Sequence, residues 1–389
     1  MRKTQYTQLS AFYFFYFAGL GAFLPYWSLY LKSLHFTANE IGELLAIVMA
    51  SKVISPYLFS WISDHIEKRL VIIQGSMFIS VIVFAGVIPY QSFWWFALVM
   101  AFFGVFWNAA LPLYEALTLN HLAHDTNRYS DIRLWGSVGF IVVALVLPMI
   151  IGGSNISLLP LIILALLVAS TVTTFLVGDR ASHHSYQSKQ THIIETLKKP
   201  IVMALLLACF FQSLSHGAYY TFFSIYLEGH GYSRDFSGAM WALGVFAEVV
   251  LFLLMRRLLT KFSVCHLFAI ALFITALRWV MLALWVDNLI LLIISQLFHA
   301  ASFGLFHACA IYLIHTLFPG RLQGRGQALY AGMSFGLGGT LGHLLSGYAW
   351  DSMGAVWTFL SSAIIALIGA IIAFKYITEE RLPAYADKT

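Results

Sequence analysis

Charge is what this sequence has least of. Only 10% of its 389 residues are Asp, Glu, Lys or Arg, where a soluble domain carries about 25%. Hydrophobic residues make up 60%, and a chain of that balance folded in water would expose apolar patches large enough to aggregate. Cysteine is almost absent as well. Cys209, Cys265 and Cys309 are scattered through apolar stretches without a CxxC pair, which excludes a disulfide framework and a cysteine metal site and leaves them as small core residues. No HExxH, GxSxG or Walker motif lies at a membrane border with suitable partners, so neither an enzyme nor ATP coupling is expected. No cofactor is expected either.

What is present is a series of apolar stretches long enough to cross about 30 Å of hydrocarbon. They cover residues 9–31, 41–61, 70–89, 93–117, 132–151, 157–177, 200–227, 237–259, 264–285, 288–315, 326–349 and 355–376. Without water to pair the backbone, each has to be a helix. Barrel strands would be shorter and would alternate in polarity. Arg2 and Lys3 precede a first stretch that is long and aromatic, without the short apolar region and small-residue cleavage site of a signal peptide. It reads as the first membrane helix. The fold class is therefore an all-α membrane protein of twelve transmembrane helices.

The basic residues are distributed unequally between the connecting loops. With the N-terminus inside, Lys68, Arg69, Arg128, Arg180, Lys189, Lys198, Lys199, Arg256, Arg257, Lys261, Arg321 and Arg325 all fall on the cytoplasmic side, and the outer loops hold only Lys32 and Arg234. This bias places both termini in the cytoplasm, in a bacterial inner membrane. The net charge of +5 then reflects topology and contact with anionic membrane lipid, and no nucleic acid partner is implied.

The longest polar segment, near 178–199, has six spans on each side and reads as a cytoplasmic linker. Its His183, His184 and His192 sit among flexible polar residues and read as solvated rather than metal-binding. The expected division is 1–178 as one six-helix bundle, 179–199 as linker and 200–389 as a second bundle. The halves repeat. Residues 28–53 (SLYLKSLHFTANEIGELLAIVMASKV) align without gaps on 224–249 (SIYLEGHGYSRDFSGAMWALGVFAEV), and 104–117 (GVFWNAALPLYEAL) align on 304–317 (GLFHACAIYLIHTL). Helices 1–2 thus match 7–8 and helix 4 matches 10, all in one orientation because six is even. Parallel repeats of this kind belong to transporters that bind solute between two halves near the bilayer midplane.

A charge within a span costs at least a few kcal/mol and should face a cavity or a partner. The candidates are Lys52 in helix 2, Glu115 late in helix 4, Arg133 early in helix 5, Glu248 in helix 8, Arg278 in helix 9, and His299 and His307 in helix 10. The repeat sets Lys52 and Glu248 at equivalent positions, where they are either a structural ion pair or a solute or proton site. Arg133 could instead mark the membrane border, where basic side chains snorkel. Glu248, Arg278 and His299 lie on three helices of the second half. A carboxyl alternating between dry and wet surroundings can change charge, and histidine is a natural relay beside it. His307 aligns with Trp107 and reads as packing. Glycines of helices 5 and 11 read as close helix contacts. Trp27, Tyr30, Tyr219, Tyr220 and Trp241 are either packing or the lining for an aromatic solute.

At these residues the chain resembles the branch of the major facilitator superfamily that holds oligosaccharide:proton and nucleoside:proton symporters, and within it the 3-phenylpropionic acid transporter type. The resembling segments are FYFFYFAGLGAFLPYWSLYLK (12–32), RLWGSVGF (133–140), HGAYYTFFSIYLEGHGYS (216–233) and WALGVFAEVVLF (241–252). The superfamily's loop motif after helix 2 is eroded, with Ser60 and Glu67 in place of its glycines while Asp64, Lys68 and Arg69 remain. In the similar lactose permease, a helix 4 Glu and a helix 5 Arg bind sugar. By resemblance Asn108, Glu115 and Arg133 take solute here, with Lys52 as an added cation suited to an anionic one. The permease's helix 8 Glu, helix 9 Arg and helix 10 His match Glu248, Arg278 and His299. Its following proton-carrying Glu is replaced by Ser302, which leaves Glu248 as the implied proton carrier. The resemblance implies a monomeric transporter taking up a small-molecule substrate with protons, most readily an aromatic carboxylate. Nucleoside or oligosaccharide symport and drug:proton antiport are the alternatives.

The topology is open to a direct check. A single cysteine at Ser188, in an otherwise cysteine-free background, should react with an impermeant maleimide in inside-out vesicles and stay unlabelled in intact cells. Labelling of intact cells would reverse the orientation.

Overall fold

The computed structural model describes residues 3–66, 68–122, 128–152, 155–178 and 193–382. Most of the expected linker, 179–192, lies outside the described residues, as do Glu67 and the side chain of Asp64 in the eroded loop motif. Among the described residues the regular structure is helical throughout.

The helices are α1 (Lys3–Ser33), α2 (Ala38–Ile66), α3 (Arg69–Ala85), α4 (Phe93–Leu122), α5 (Tyr129–Ile151) and α6 (Leu159–Phe175). A short helix, Ile193–Leu197, precedes α7 (Pro200–Gly229), which is interrupted at His216. Then come α8 (Arg234–Lys261), α9 (Val264–Trp285) and α10 (Leu289–Leu317). The last stretch, Gln323–Tyr376, is 54 residues long, more than two membrane crossings at 1.5 Å per residue. It turns at Gly354, whose φ of 81° is left-handed backbone that favours glycine. Residues 323–353 are α11 and 355–376 are α12. Ten of these stretches are apolar and long enough to span, and α3 is a shorter apolar helix of 17 residues. With the last stretch counted twice, they supply the twelve spans that hydropathy predicts.

By its internal contacts the chain forms two compact units, Met1–Ser185 with Tyr220–Phe246, and Tyr186–Tyr219 with Ala247–Thr389. In the first unit α1 packs along α5 and α6, α2 along α4, and α3 along α4 and α6. Thr37 and Glu40 start α2 with a reciprocal cap. The Thr37 amide donates to Glu40 Oε2 at 2.8 Å, and the Glu40 amide donates to Thr37 Oγ1 at 3.3 Å, so two otherwise orphaned donors are satisfied. An aromatic seam joins α1 to α4, with Phe12 stacked on Tyr114 at 3.8 Å. Trp27 is fully buried against Phe23, so it is a packing residue.

At one rim of this unit Glu228 joins three elements. Its Oε2 lies 3.4 Å from Lys32 Nζ at the end of α1, and its Oε1 lies 3.2 Å from Arg234 NH2 at the start of α8. Arg234 NH1 donates in turn to the Ile151 carbonyl that ends α5, at 2.9 Å. Lys32 and Glu228 stand 196 residues apart, the same offset as the repeat of 28–53 on 224–249.

In the second unit α9 packs against the α11–α12 stretch and α10, and α7 packs against the α11–α12 stretch. Cys209, Cys265 and Cys309 are buried and unpaired, as small core residues should be. Both α10 and α11 contain a π-helical turn, Ala300–Leu305 and Gly332–Gly338.

The repeat reappears in the packing. A Cβ on Gly104 of α4 would stand 2.8 Å from Ser51 Oγ and 3.2 Å from Val48 Cα of α2, and a Cβ on Gly304 of α10 would stand 3.1 Å from Glu248 Cγ of α8. Equivalent glycines thus let equivalent helix pairs close up. Gly104→Ala meets backbone that cannot move aside and should lower the unfolding temperature of the purified protein, at a cost of about 1–3 kcal/mol. Gly75→Ala, in α3 with open space around it, should leave that temperature unchanged or raise it. Equal behaviour of the two variants would show that the α2–α4 contact is not tight.

Candidate functional site

Each unit holds one cluster of paired intramembrane charge. In the first unit the guanidinium of Arg133, on the second turn of α5, lies 3.7 Å from Glu115 Oε1 on α4. It also lies 3.9 Å from the ring centroid of Phe17 on α1 and 5.7 Å from that of Tyr13. Gly136, one turn on, leaves room for the guanidinium and for Phe17. Arg and Glu are both about a third exposed. A guanidinium held between a carboxylate and aromatic faces is fixed in orientation while part of its edge stays open. Around them Tyr13 donates to Thr118 Oγ1 at 3.1 Å.

Asn108, nearer the middle of α4, turns its amide to α2 and donates to the Val48 carbonyl at 3.1 Å and to Ser51 Oγ at 2.8 Å. Lys52 follows Ser51 on α2. It is half-buried and forms no ion pair among the described residues. It belongs to the first unit and Glu248 to the second.

In the second unit Arg278 is completely buried on α9. One guanidinium nitrogen donates to His299 Nδ1 at 3.0 Å and to Ser302 Oγ at 3.1 Å, and the other donates to Gln296 Oε1 at 3.2 Å. The rings of Tyr219 and Trp279 lie 4.2 and 4.7 Å from its central carbon. Tyr219 also donates to Gln296 Oε1 at 3.0 Å. Gln212 donates to Thr275 Oγ1 at 2.9 Å and to the Ser302 carbonyl.

This geometry assigns the histidine tautomer. A guanidinium has donors only, so His299 Nδ1 must accept, and the proton of the neutral ring sits on Nε2. That nitrogen faces Glu248 Oε2 at 3.8 Å. Arg278, His299 and Glu248 therefore form a line across α9, α10 and α8. Glu248 reaches it because Gly304 has no side chain in its way. Its side chain is 17% exposed against 6% for His299, so of the three it is the one closest to an open surface.

Charge alone finds Arg278, His299 and Glu248. It does not find Gln212, Gln296, Tyr219 and His216, which surround them. His216 packs its ring edge-on against Trp279, 4.9 Å between centroids, with Nδ1 on the Gln212 carbonyl at 2.8 Å. The available signal was two glutamines within apolar spans, since neutral polar groups there need partners across helices. His307, read from sequence as packing, places Nδ1 2.8 Å from the Tyr330 hydroxyl on α11.

Comparison with known proteins agrees with this architecture. The model of the MFS_1 like family matches residues 6–361. A "Probable 3-phenylpropionic acid transporter" of Escherichia coli (strain K12) is 28% identical over 366 residues, covering 91% of this chain and 93% of that one. The maltose permease of Geobacillus stearothermophilus is 24% identical over 385 residues, covering 96% and 95%. Among solved structures, the nucleoside transporter NupG superposes with a TM-score of 0.79 at 16% identity, over 97% of this chain and 98% of its own. A D-xylose–proton symporter does so with a TM-score of 0.75 at 16% identity, over 97% of each. Likeness at that identity speaks for the fold. The chain is thus a multi-pass membrane transporter of small molecules rather than an enzyme, and it belongs to the MFS_1 like family of the major facilitator superfamily.

Proposed function

We propose that the protein is a monomeric symporter of the bacterial inner membrane that takes up an aromatic carboxylate together with protons, with 3-phenylpropionate as the type of solute. Both termini and the 179–199 linker face the cytoplasm in this reading. The six-helix halves, 1–178 and 200–389, rock to open the path to either side in turn. The observation that carries the proposal is the line Arg278–His299–Glu248. Arg278 holds His299 as a neutral acceptor, because protonation of Nδ1 would cost the histidine its bond to the guanidinium. The proton that comes and goes then has one acceptor in the line, the Glu248 carboxylate. Its ionised form is expensive at that depth unless compensated, which ties its protonation to the wetting of its surroundings.

For the solute, the open cations are Lys52 and Arg133. Lys52 is half-buried without an ion pair among the described residues. Arg133 keeps part of its edge free beside Phe17 and Glu115. A planar carboxylate suits a guanidinium fork. The aryl group is supported by the name of the Escherichia coli relative at 28% identity.

Two measurements bear on this. Glu248→Gln imitates the protonated carboxyl permanently. In reconstituted vesicles it should still exchange labelled solute across the membrane, and its accumulation under an imposed proton gradient should fall to the equilibrium level. Undiminished accumulation would move the proton to Glu115. Separately, Lys52→Gln and Arg133→Gln should each weaken binding of 3-phenylpropionate by at least about tenfold, since loss of a desolvated charge pair costs about 2 kcal/mol or more. The same variants should change binding of the neutral 3-phenylpropionamide far less. Equal losses for acid and amide would give these cations a structural role.

A further inference from the structure

A tryptophan, a tyrosine and two opposite charges meet where α1 and α5 begin. The Trp135 indole donates to the Tyr6 hydroxyl at 3.0 Å, and that hydroxyl donates to the Asp131 carbonyl at 3.3 Å. These two bonds clip the first turns of α5 to α1. Beside the clip is a cavity of about 440 Å³ lined by Tyr6, Arg128, Asp131, Leu134, Trp135 and Val138. Small-molecule sites are usually clefts of about 300–1,000 Å³. Asp131 is exposed and makes no ion pair among the described residues. Arg128 stands three residues before it, so both charges lie on one side of the first turn. All of these residues belong to the first unit.

The cavity sits at the end of a face that meets lipid. Leu134, Trp135, Val142, Leu145, Val146 and Met149 form one stripe of α5 and are 41–79% exposed in the whole chain. At 3.6 residues per turn this stripe lies on the side of α5 opposite Arg133, and it runs from Leu134 to Met149 without a charged or hydrogen-bonding side chain other than the Trp135 indole. Polar groups at membrane depth face cavities and the bundle interior, and an exposed face without them is the one that lipid covers. At its lower end the stripe passes into Trp135, Tyr6, Arg128 and Asp131. Amphipathic rings and snorkelling cations of this kind sit at headgroup level. The cavity therefore lies at the headgroup border, the cytoplasmic one in the topology proposed above.

We propose that this cavity binds the headgroup of a zwitterionic phospholipid that carries a primary ammonium, with its acyl chains along the α5 stripe. The phosphate accepts from the Arg128 guanidinium, and the ammonium donates to the Asp131 carboxylate. A net anionic headgroup would bring its charge against Asp131, and a quaternary ammonium has no N–H to give. The site thus selects ethanolamine over glycerol and choline headgroups. Exposed ion pairs are weak, so the selection is about two- to fivefold. The lipid site goes beyond the solute reading and holds whatever the solute is.

The test is lipid retention by the full-length protein in detergent micelles, read by native mass spectrometry. Dioleoyl phosphatidylethanolamine, phosphatidylcholine and phosphatidylglycerol are supplied in equal amounts. Wild type should retain phosphatidylethanolamine about two- to fivefold over each of the others. Asp131→Asn should lower it to the phosphatidylcholine level, and Arg128→Gln should weaken retention of both zwitterionic lipids alike. Arg257→Gln, near the end of α8 in the second unit, should change nothing. Size-exclusion profile and unfolding temperature establish that each variant is folded, and Asp131→Ser stands in if the Asn variant is not. Equal retention of the three lipids by wild type, or a preference that survives both first-unit variants, overturns the site. A wild-type preference for phosphatidylglycerol that Arg128→Gln removes makes it an anionic-lipid site and overturns the role of the ammonium. Displacement of phosphatidylethanolamine by equimolar glycerophosphoethanolamine, which has the headgroup without the chains, gives the cavity to a soluble ligand and overturns the lipid.

Discussion

A guanidinium does not give up its proton inside a protein, so a chain that buries one at membrane depth must arrange acceptors around it. Arg278 sets that condition for the second unit. Its neighbours satisfy it with Gln296, His299 and Ser302 as acceptors and with the faces of Tyr219 and Trp279. Each of these is then constrained in turn. Gln296 must point its oxygen inward and also receives the Tyr219 hydroxyl. His299 must present a lone pair at Nδ1, which sends its proton to the side where Glu248 lies. Ser302 Oγ accepts from the arginine without adding an ionisable group. Among the described residues the carboxylate that faces this line is that of Glu248.

The first unit solves a related problem with less burial. Arg133 is partly exposed, and aromatic faces and one carboxylate hold it in place. This is a weaker clamp, suited to a group that has to exchange partners. The contrast between a cation locked among neutral acceptors and one left with an open edge is the physical ground on which we propose proton handling for one cluster and solute for the other.

Much of this was legible in the sequence because a low-dielectric solvent is unforgiving. Every apolar run had to be a helix, and the twelve predicted spans correspond to the observed ones. Their ends were less legible. α1 extends over Lys3–Ser33 where hydropathy shows 9–31, and α4 runs to Leu122 where it shows 117. Helices continue past the hydrocarbon into the polar border, where hydropathy falls but backbone pairing does not. Charged site residues stood out singly for the same reason. Their partners did not, because Gln212, Gln296 and His216 carry no formal charge and the pairing of α9 with α10 is a matter of three dimensions. The π-turns in α10 and α11 were invisible, since adding one residue to a turn leaves composition and mean hydropathy unchanged. The interruption at His216 was hidden likewise, within a run that reads as one apolar span.

The ion pair at the rim of the first unit records something about descent. Lys32 and Glu228 occupy the same position in the two repeats and touch each other. Two residues related by a two-fold operation can meet only at its axis. In an ancestor with identical halves, whether a fresh gene duplication or a symmetric pair of shorter chains, the same side chain would have met its own copy there. Two lysines would have repelled, as would two glutamates. An attractive charge pair on such an axis is available only after the copies have diverged, so this contact is a product of asymmetry and later than the fold that contains it.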